Sequence, residues 1–117
     1  MTESRRIDYL SHMCEAAAQA ASYIEKMDQT AFLDDKRTQQ AVIMNLVIIG
    51  EAATRLMAEF PDFTDNHPEI PWKSMRGMRN RIAHGYFDID LDLVWSTART
   101  ALPELGLQLQ KFALPPA

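Results

Sequence analysis

The sequence predicts an all-α fold, an antiparallel bundle of four to five helices that dimerises. Three observations carry this. Apolar residues recur at three- and four-residue steps near both ends of the chain. No stretch shows the alternation of a convincing strand. The connections between helical stretches are short, as between antiparallel neighbours in a bundle. The length of 117 residues suits one domain over 1–117, and 47% hydrophobic with 24% charged residues suffices for a real core. The chain contains no repeat, no low-complexity block and no internal boundary.

Ser4 is placed to cap a first helix running to about residue 27, with Ile7, Leu10, Met13 or Cys14, Ala17, Ala21 and Ile24 on its apolar face. Its alanine-rich middle has high helix propensity and lets another helix approach closely. Cys14 is the single cysteine, so no intrachain disulfide is possible, and it reads as a small buried hydrophobe. Residues 28–35 read as a connection with one helical turn around Thr30, whose Phe32 and Leu33 plug the core. Asp34 or Asp35 caps the next helix.

Residues 41–53 are apolar nearly all round, apart from Asn45 and Glu51. Such a helix is buried on most sides. It reads as too short and too interrupted to cross a bilayer, which takes about 20 apolar residues. In so small a domain, burial on every side predicts that one side meets a second copy, hence a homodimer and no membrane association. A buried Glu51 needs partners or a proton. It can orient an arginine of the later motif or pair with Arg55 one turn on.

Phe60-Pro61 ends this helix. Residues 64–70 read as a polar loop in which His67 is solvated. Pro71 starts the next helix, anchored by Trp72 and Met75, with Lys73 and Ser74 facing out. Met75, Met78 and Ile82 form its inner side, and Gly85 is placed to turn left-handed at its end. Asp88 or Asp90 caps a last helix carrying Leu91, Val94, Trp95, Ala98, Leu102, Leu105 and Leu109. Pro103 is expected to kink or split it, and the tail from Leu114 is expected to fray. The N-terminus leads straight into an amphipathic helix without a secretory signal, so the expected compartment is the cytoplasm.

The net charge of −4 gives no global sign of nucleic-acid binding. The local picture differs, because Lys73, Arg76, Arg79 and Arg81 fall between Pro71 and Phe87 with no acidic residue among them. An anion site is therefore local. On a helix, Arg76, Asn80 and His84 share one stripe. Arginine offers a planar fork of donors to phosphate oxygens, and histidine moves protons near neutral pH. Taken alone, the arginines and the histidine read rather as a solvated basic face and an imidazole set against the helix dipole. His12 has no second metal ligand one turn away. No phosphate-binding loop, His-Glu-x-x-His motif or Gly-x-Ser-x-Gly elbow occurs.

The pattern Arg79-Asn80, three residues, His84, one residue, Tyr86 resembles the R-N-x3-H-x-Y signature of HEPN-domain ribonucleases, in particular the small HepT-type toxins. Pro71-Trp72 at the helix start, Gly77 within it and Gly50-Glu51-Ala52 upstream resemble that family too. The likeness runs through nearly the whole chain in length and helix order. It implies a HEPN-like dimer with the motif in a cleft between subunits, and a minimal nucleotidyltransferase antitoxin as partner. Carried over by position, it makes Tyr86 the acceptor of transferred AMP.

The residues themselves suit a metal-independent endoribonuclease without cofactor. RNA, whether tRNA or mRNA, carries its own nucleophile in the ribose 2′-OH. His84 would take that proton or protonate the leaving 5′-oxygen, and Arg79 would stabilise the growing phosphoryl charge. Asn80, Arg76 and Glu51 would support them. A dimer would supply a second His and Arg. The alternative is a non-catalytic helical module that binds nucleotide, RNA or a nucleotidyltransferase through the basic stripe, with His84 structural.

Overall fold

The computed structural model describes residues 2–113. Among them the chain forms α1 (Thr2–Ile24), α2 (Gln29–Leu33), α3 (Lys36–Glu59), α4 (Pro61–Asp65) and α5 (Trp72–His84). A 3-10 turn (Tyr86–Asp88) follows, then α6 (Leu91–Ser96), a π turn (Thr97–Ala101) and α7 (Leu102–Ala113). No strand occurs among the described residues. The expected tail at Leu114 and beyond lies outside them.

Short aspartates set the helix starts. Asp35, not Asp34, caps α3, accepting from the Thr38 backbone N–H at 3.1 Å and its hydroxyl at 2.8 Å. The first of these bonds is the main reason its carboxyl lies below the usual range. Asp90, not Asp88, caps α6 through the Leu93 N–H. Asp28 caps the single turn of α2. Ser4 lies inside α1, which starts earlier and ends earlier than expected.

The small residues Ala16, Ala17 and Ala20 of α1 are buried, so α3 and α7 both pack closely against it. Leu10, Met13 and Ile24 complete its core face, and Cys14 is only half-buried, enough to push its thiol pKa up. At the open end of this contact, Arg5 and the Tyr9 hydroxyl both hold Glu59 at the end of α3. Their bonds lower the Glu59 pKa, Tyr9 contributing most. Phe32 is fully buried against Trp95, whereas Leu33 is 40% exposed, so only one of the two expected plugs fills the core. Burying such a side chain stabilises the fold by roughly 1.5–3 kcal/mol.

α3 is longer than expected. Its 24 residues would reach across a bilayer by length and composition alone. It instead packs between α1 and α5, with Val42, Leu46, Ile49, Ala53 and Leu56 in the core. Within one chain it leaves one side open, the side expected to meet a second copy. Gln40, Met44, Ile48, Glu51 and Arg55 form an open stripe. Asn45 is buried and returns its amide to the Ala41 carbonyl at 3.0 Å.

Between α4 and α5 the chain carries an aromatic plug rather than a solvated loop. His67 lies between Phe63 and Phe112 with ring centroids at 4.8 and 4.4 Å, and its Nδ1 stands 3.2 Å from Glu69. Its carbonyl accepts from the Trp72 indole N–H. Pro103 does not split the last helix. The turn before it widens to π geometry, with the Leu102 N–H reaching back to Thr97, and the helix continues.

Candidate active site

α5 carries Arg79, Asn80 and His84 of the motif, and Tyr86 follows in the 3-10 turn. Its inner face buries Trp72, Met75 and Ile82, with Met78 partly covered. α3 approaches this face so closely that a Cβ on Gly50 would stand 2.3 Å from Arg79 Cβ and 2.7 Å from the Met75 carbonyl oxygen. Only glycine permits that approach without movement.

Arg79 is thereby held against α3. Its Nη2 lies 3.4 Å from the Thr54 hydroxyl and 3.6 Å from Glu51 Oε1, while its Nε is buried without a described hydrogen-bond partner. Thr54 in turn donates to the Gly50 carbonyl at 2.8 Å. The contacts to Arg79 are longer than the roughly 2.7–2.9 Å of a tight charge-assisted pair. They position the guanidinium without consuming its donors. Glu51 is half-exposed rather than buried, and it pairs with both candidates that its sequence position suggested: Arg55 at 3.4 Å and Arg79 at 3.6 Å.

Asn80 and His84 are exposed along the outer stripe of α5, with Arg76 half-buried one turn before them. Neither Asn80 nor His84 has a recorded contact with Arg79. Within one chain, then, the cation and the imidazole lie on adjacent faces and do not form a bonded unit. Gly85 ends α5 at φ −152°, so the left-handed turn expected there is absent. Tyr86 is 62% exposed in the 3-10 turn, its ring stacked at 4.5 Å on Phe87. Thr54 was missed by sequence reading. Its spacing from Gly50 and Glu51 puts it on their face, but only the packing of α5 reveals what that face meets. Among the described residues, no group of three or more His, Cys, Asp or Glu is placed to hold a metal ion.

An all-α domain that carries an arginine, an amide and an imidazole along one helix, with a phenol just past its end, belongs to the class of compact helical proteins. More narrowly, this chain belongs to the HepT-like ribonuclease family, whose model, described as "Ribonuclease HepT-like", matches residues 13–112. It is 38% identical over 104 residues to a probable ribonuclease HepT of Thermococcus cleftensis, covering 89% of this chain and 92% of that one. It is 34% identical over 104 residues to a candidate RNase of Methanocaldococcus jannaschii, covering 89% and 84%. A candidate RNase of Caldanaerobacter subterraneus is 30% identical over 103 residues, covering 88% and 89%. No solved structure matches the chain at a significant level.

Proposed function

We propose that the protein is a metal-independent endoribonuclease toxin. The reading is carried by one observation: Arg79 is clamped to α3 with its fork only loosely engaged, while Asn80 and His84 on the same helix stay open to solvent. The ribose 2′-OH attacks the adjacent phosphorus as His84 accepts its proton, and the bond from phosphorus to the 5′-oxygen breaks, that oxygen taking up a proton from the second imidazole of a dimer or from water. Arg79 offsets the charge that grows on the phosphoryl oxygens, and Asn80 and Arg76 position the strand. The products are a 2′,3′-cyclic phosphate and a 5′-hydroxyl.

One imidazole does not easily serve both sides of the phosphate. The open stripe of α3, with Met44 60% and Ile48 39% exposed, supports a homodimer that brings two motifs to one cleft. Transfer of AMP to the exposed Tyr86 by a nucleotidyltransferase antitoxin would place negative charge where substrate phosphate must sit, and so neutralise the toxin. The cytoplasm is the compartment in which such a pair would act.

The separation of Arg79 from His84 within one chain favours a second reading, a binding module that docks RNA or a nucleotidyltransferase without turnover. Cleavage of total RNA and tRNA in excess EDTA tests both, once intact mass has shown Tyr86 to be unmodified. The expected result is cyclic-phosphate products from wild type and a loss of about 10²–10⁴ in rate for His84→Ala, with RNA binding retained. Unmodified, folded wild type that cuts nothing would move the assignment to the binding module.

A further inference from the structure

At the end of the motif, Tyr86 and the residue after it form an exposed aromatic pair to which the cleavage scheme gives no contact with RNA bases. Tyr86 and Phe87 stand with ring centroids 4.5 Å apart, tilted by 37°. Phe87 is 86% exposed, more than any other large hydrophobic side chain among the described residues. The pair borders a cavity of about 390 Å³ whose apolar wall includes Met44 and Val47 of α3, with Lys36 and Gln40 also lining it. That volume falls within the roughly 300–1,000 Å³ of small-ligand clefts.

Lys36 and Gln40 are both exposed, and no hydrogen bond or ion pair to either is recorded among the described residues. The cavity thus combines a free ring face, an apolar wall, one ammonium group and one amide that both donates and accepts. Proteins that read single strands use this combination. Each base stacks on an aromatic face, while polar groups take its edge and the neighbouring phosphate. A base paired inside a duplex has no free face to offer. Phe87 also follows His84 by three residues, so the cavity borders the same stretch of chain as the imidazole.

We infer that this cavity receives one unstacked nucleobase of a single-stranded RNA. Phe87 supplies the stacking face, Gln40 meets the base edge, and Lys36 takes an adjoining phosphate. The inference rests on the ribonuclease reading for the identity of the strand, and it narrows the substrate to unpaired RNA. A second copy of this chain is the competing occupant, because Gln40 and Met44 belong to both the cavity and the open stripe of α3.

The test measures binding without cleavage. A 2′-O-methyl RNA hexamer lacks the attacking hydroxyl, so its anisotropy reports affinity alone at fixed salt. The hexamer, versions with one abasic position, and a duplex of the same sequence are titrated with wild type and Phe87→Ala. Phe87→Ala is expected to bind the hexamer about tenfold more weakly. One abasic position should weaken wild type by a similar factor and leave Phe87→Ala unaffected, because the same stacking contact is removed either way. The duplex should bind both proteins equally weakly. Circular dichroism checks that the variant is folded, as expected for so exposed a side chain.

Equal affinity of the folded variant and wild type for the hexamer would overturn the inference, as would no binding by wild type. Conversion of a dimer to a monomer by Phe87→Ala, with affinity per chain unchanged, would overturn it in favour of the second copy. Base-dependent binding by a wild type that cleaves no RNA would keep the stacking site and remove the ribonuclease reading. Cleavage with no effect of Phe87→Ala on binding would do the reverse.

Discussion

Arg79 is the side chain on which two helices agree. Its stem lies against the bare backbone of Gly50, and its guanidinium is bracketed by Thr54 and Glu51 at 3.4 and 3.6 Å. A lysine would keep the charge and lose the planar fork, ending as a mobile point charge. Arg79→Lys is therefore expected to lower RNA cleavage by about 10²–10³, the scale of removing one donor to a developing oxyanion. Its melting temperature should barely change, since a half-exposed ion pair contributes only about 0–1 kcal/mol. A thermal melt beside a single-turnover assay checks both halves. Asn80 and His84 could be read from the sequence because helix spacing alone puts them on one stripe. Thr54 could not, because its role depends on which turn of α3 meets α5. His67 misled for the same reason: a polar neighbourhood in sequence gave no sign that Phe112, 45 positions later, would cover its ring.

The contact between α3 and α5 depends on a missing methyl group. In Gly50→Ala the new Cβ meets the Met75 backbone oxygen as well as Arg79, and backbone does not swing aside. α5 must move outward, at a cost of about 1–3 kcal/mol. The expected signature is a lower melting temperature together with weaker cleavage, although no residue of the motif has been altered. Gly77→Ala is the matched control, since nothing lies within 4 Å of its added Cβ, and a helical alanine is preferred to glycine. The starts of α3 and α6 followed from local rules, because an aspartate three residues before a free N–H is sufficient. The π turn before Pro103 did not. Proline announces a missing donor, but whether the helix breaks or widens depends on tertiary packing, here on α1 lying against both the π turn and α7.

Across the molecule, the open stripe on α3 is the feature one chain leaves unfinished. Met44 and Ile48 lie between Gln40 on one side and Glu51 and Arg55 on the other, an apolar centre with a polar edge. Ile48→Glu would set a charge in that centre without touching the core. It is expected to shift sedimentation from dimer to monomer and to abolish cleavage while leaving the helical signal intact. A monomer with full activity would separate the chemistry from the dimer. The sequence marked residues 41–53 as apolar nearly all round, but residue composition cannot tell which side faces the core and which is left for another surface.

The neighbours of the helices differ in a further way. α1 packs extensively on both α3 and α7, and α3 on both α1 and α5, whereas α5 packs extensively on α3 alone. A helix moored along one side can detach as a unit while the rest of the core stays closed. Amide hydrogens of α5 should then exchange with solvent through an opening that requires less free energy than global unfolding, ahead of those in the middle of α1 and α3. The residues that would meet RNA then ride on a segment that opens below the free energy of global unfolding. Any molecule that seals α5 down would tighten the fold and the site in the same act.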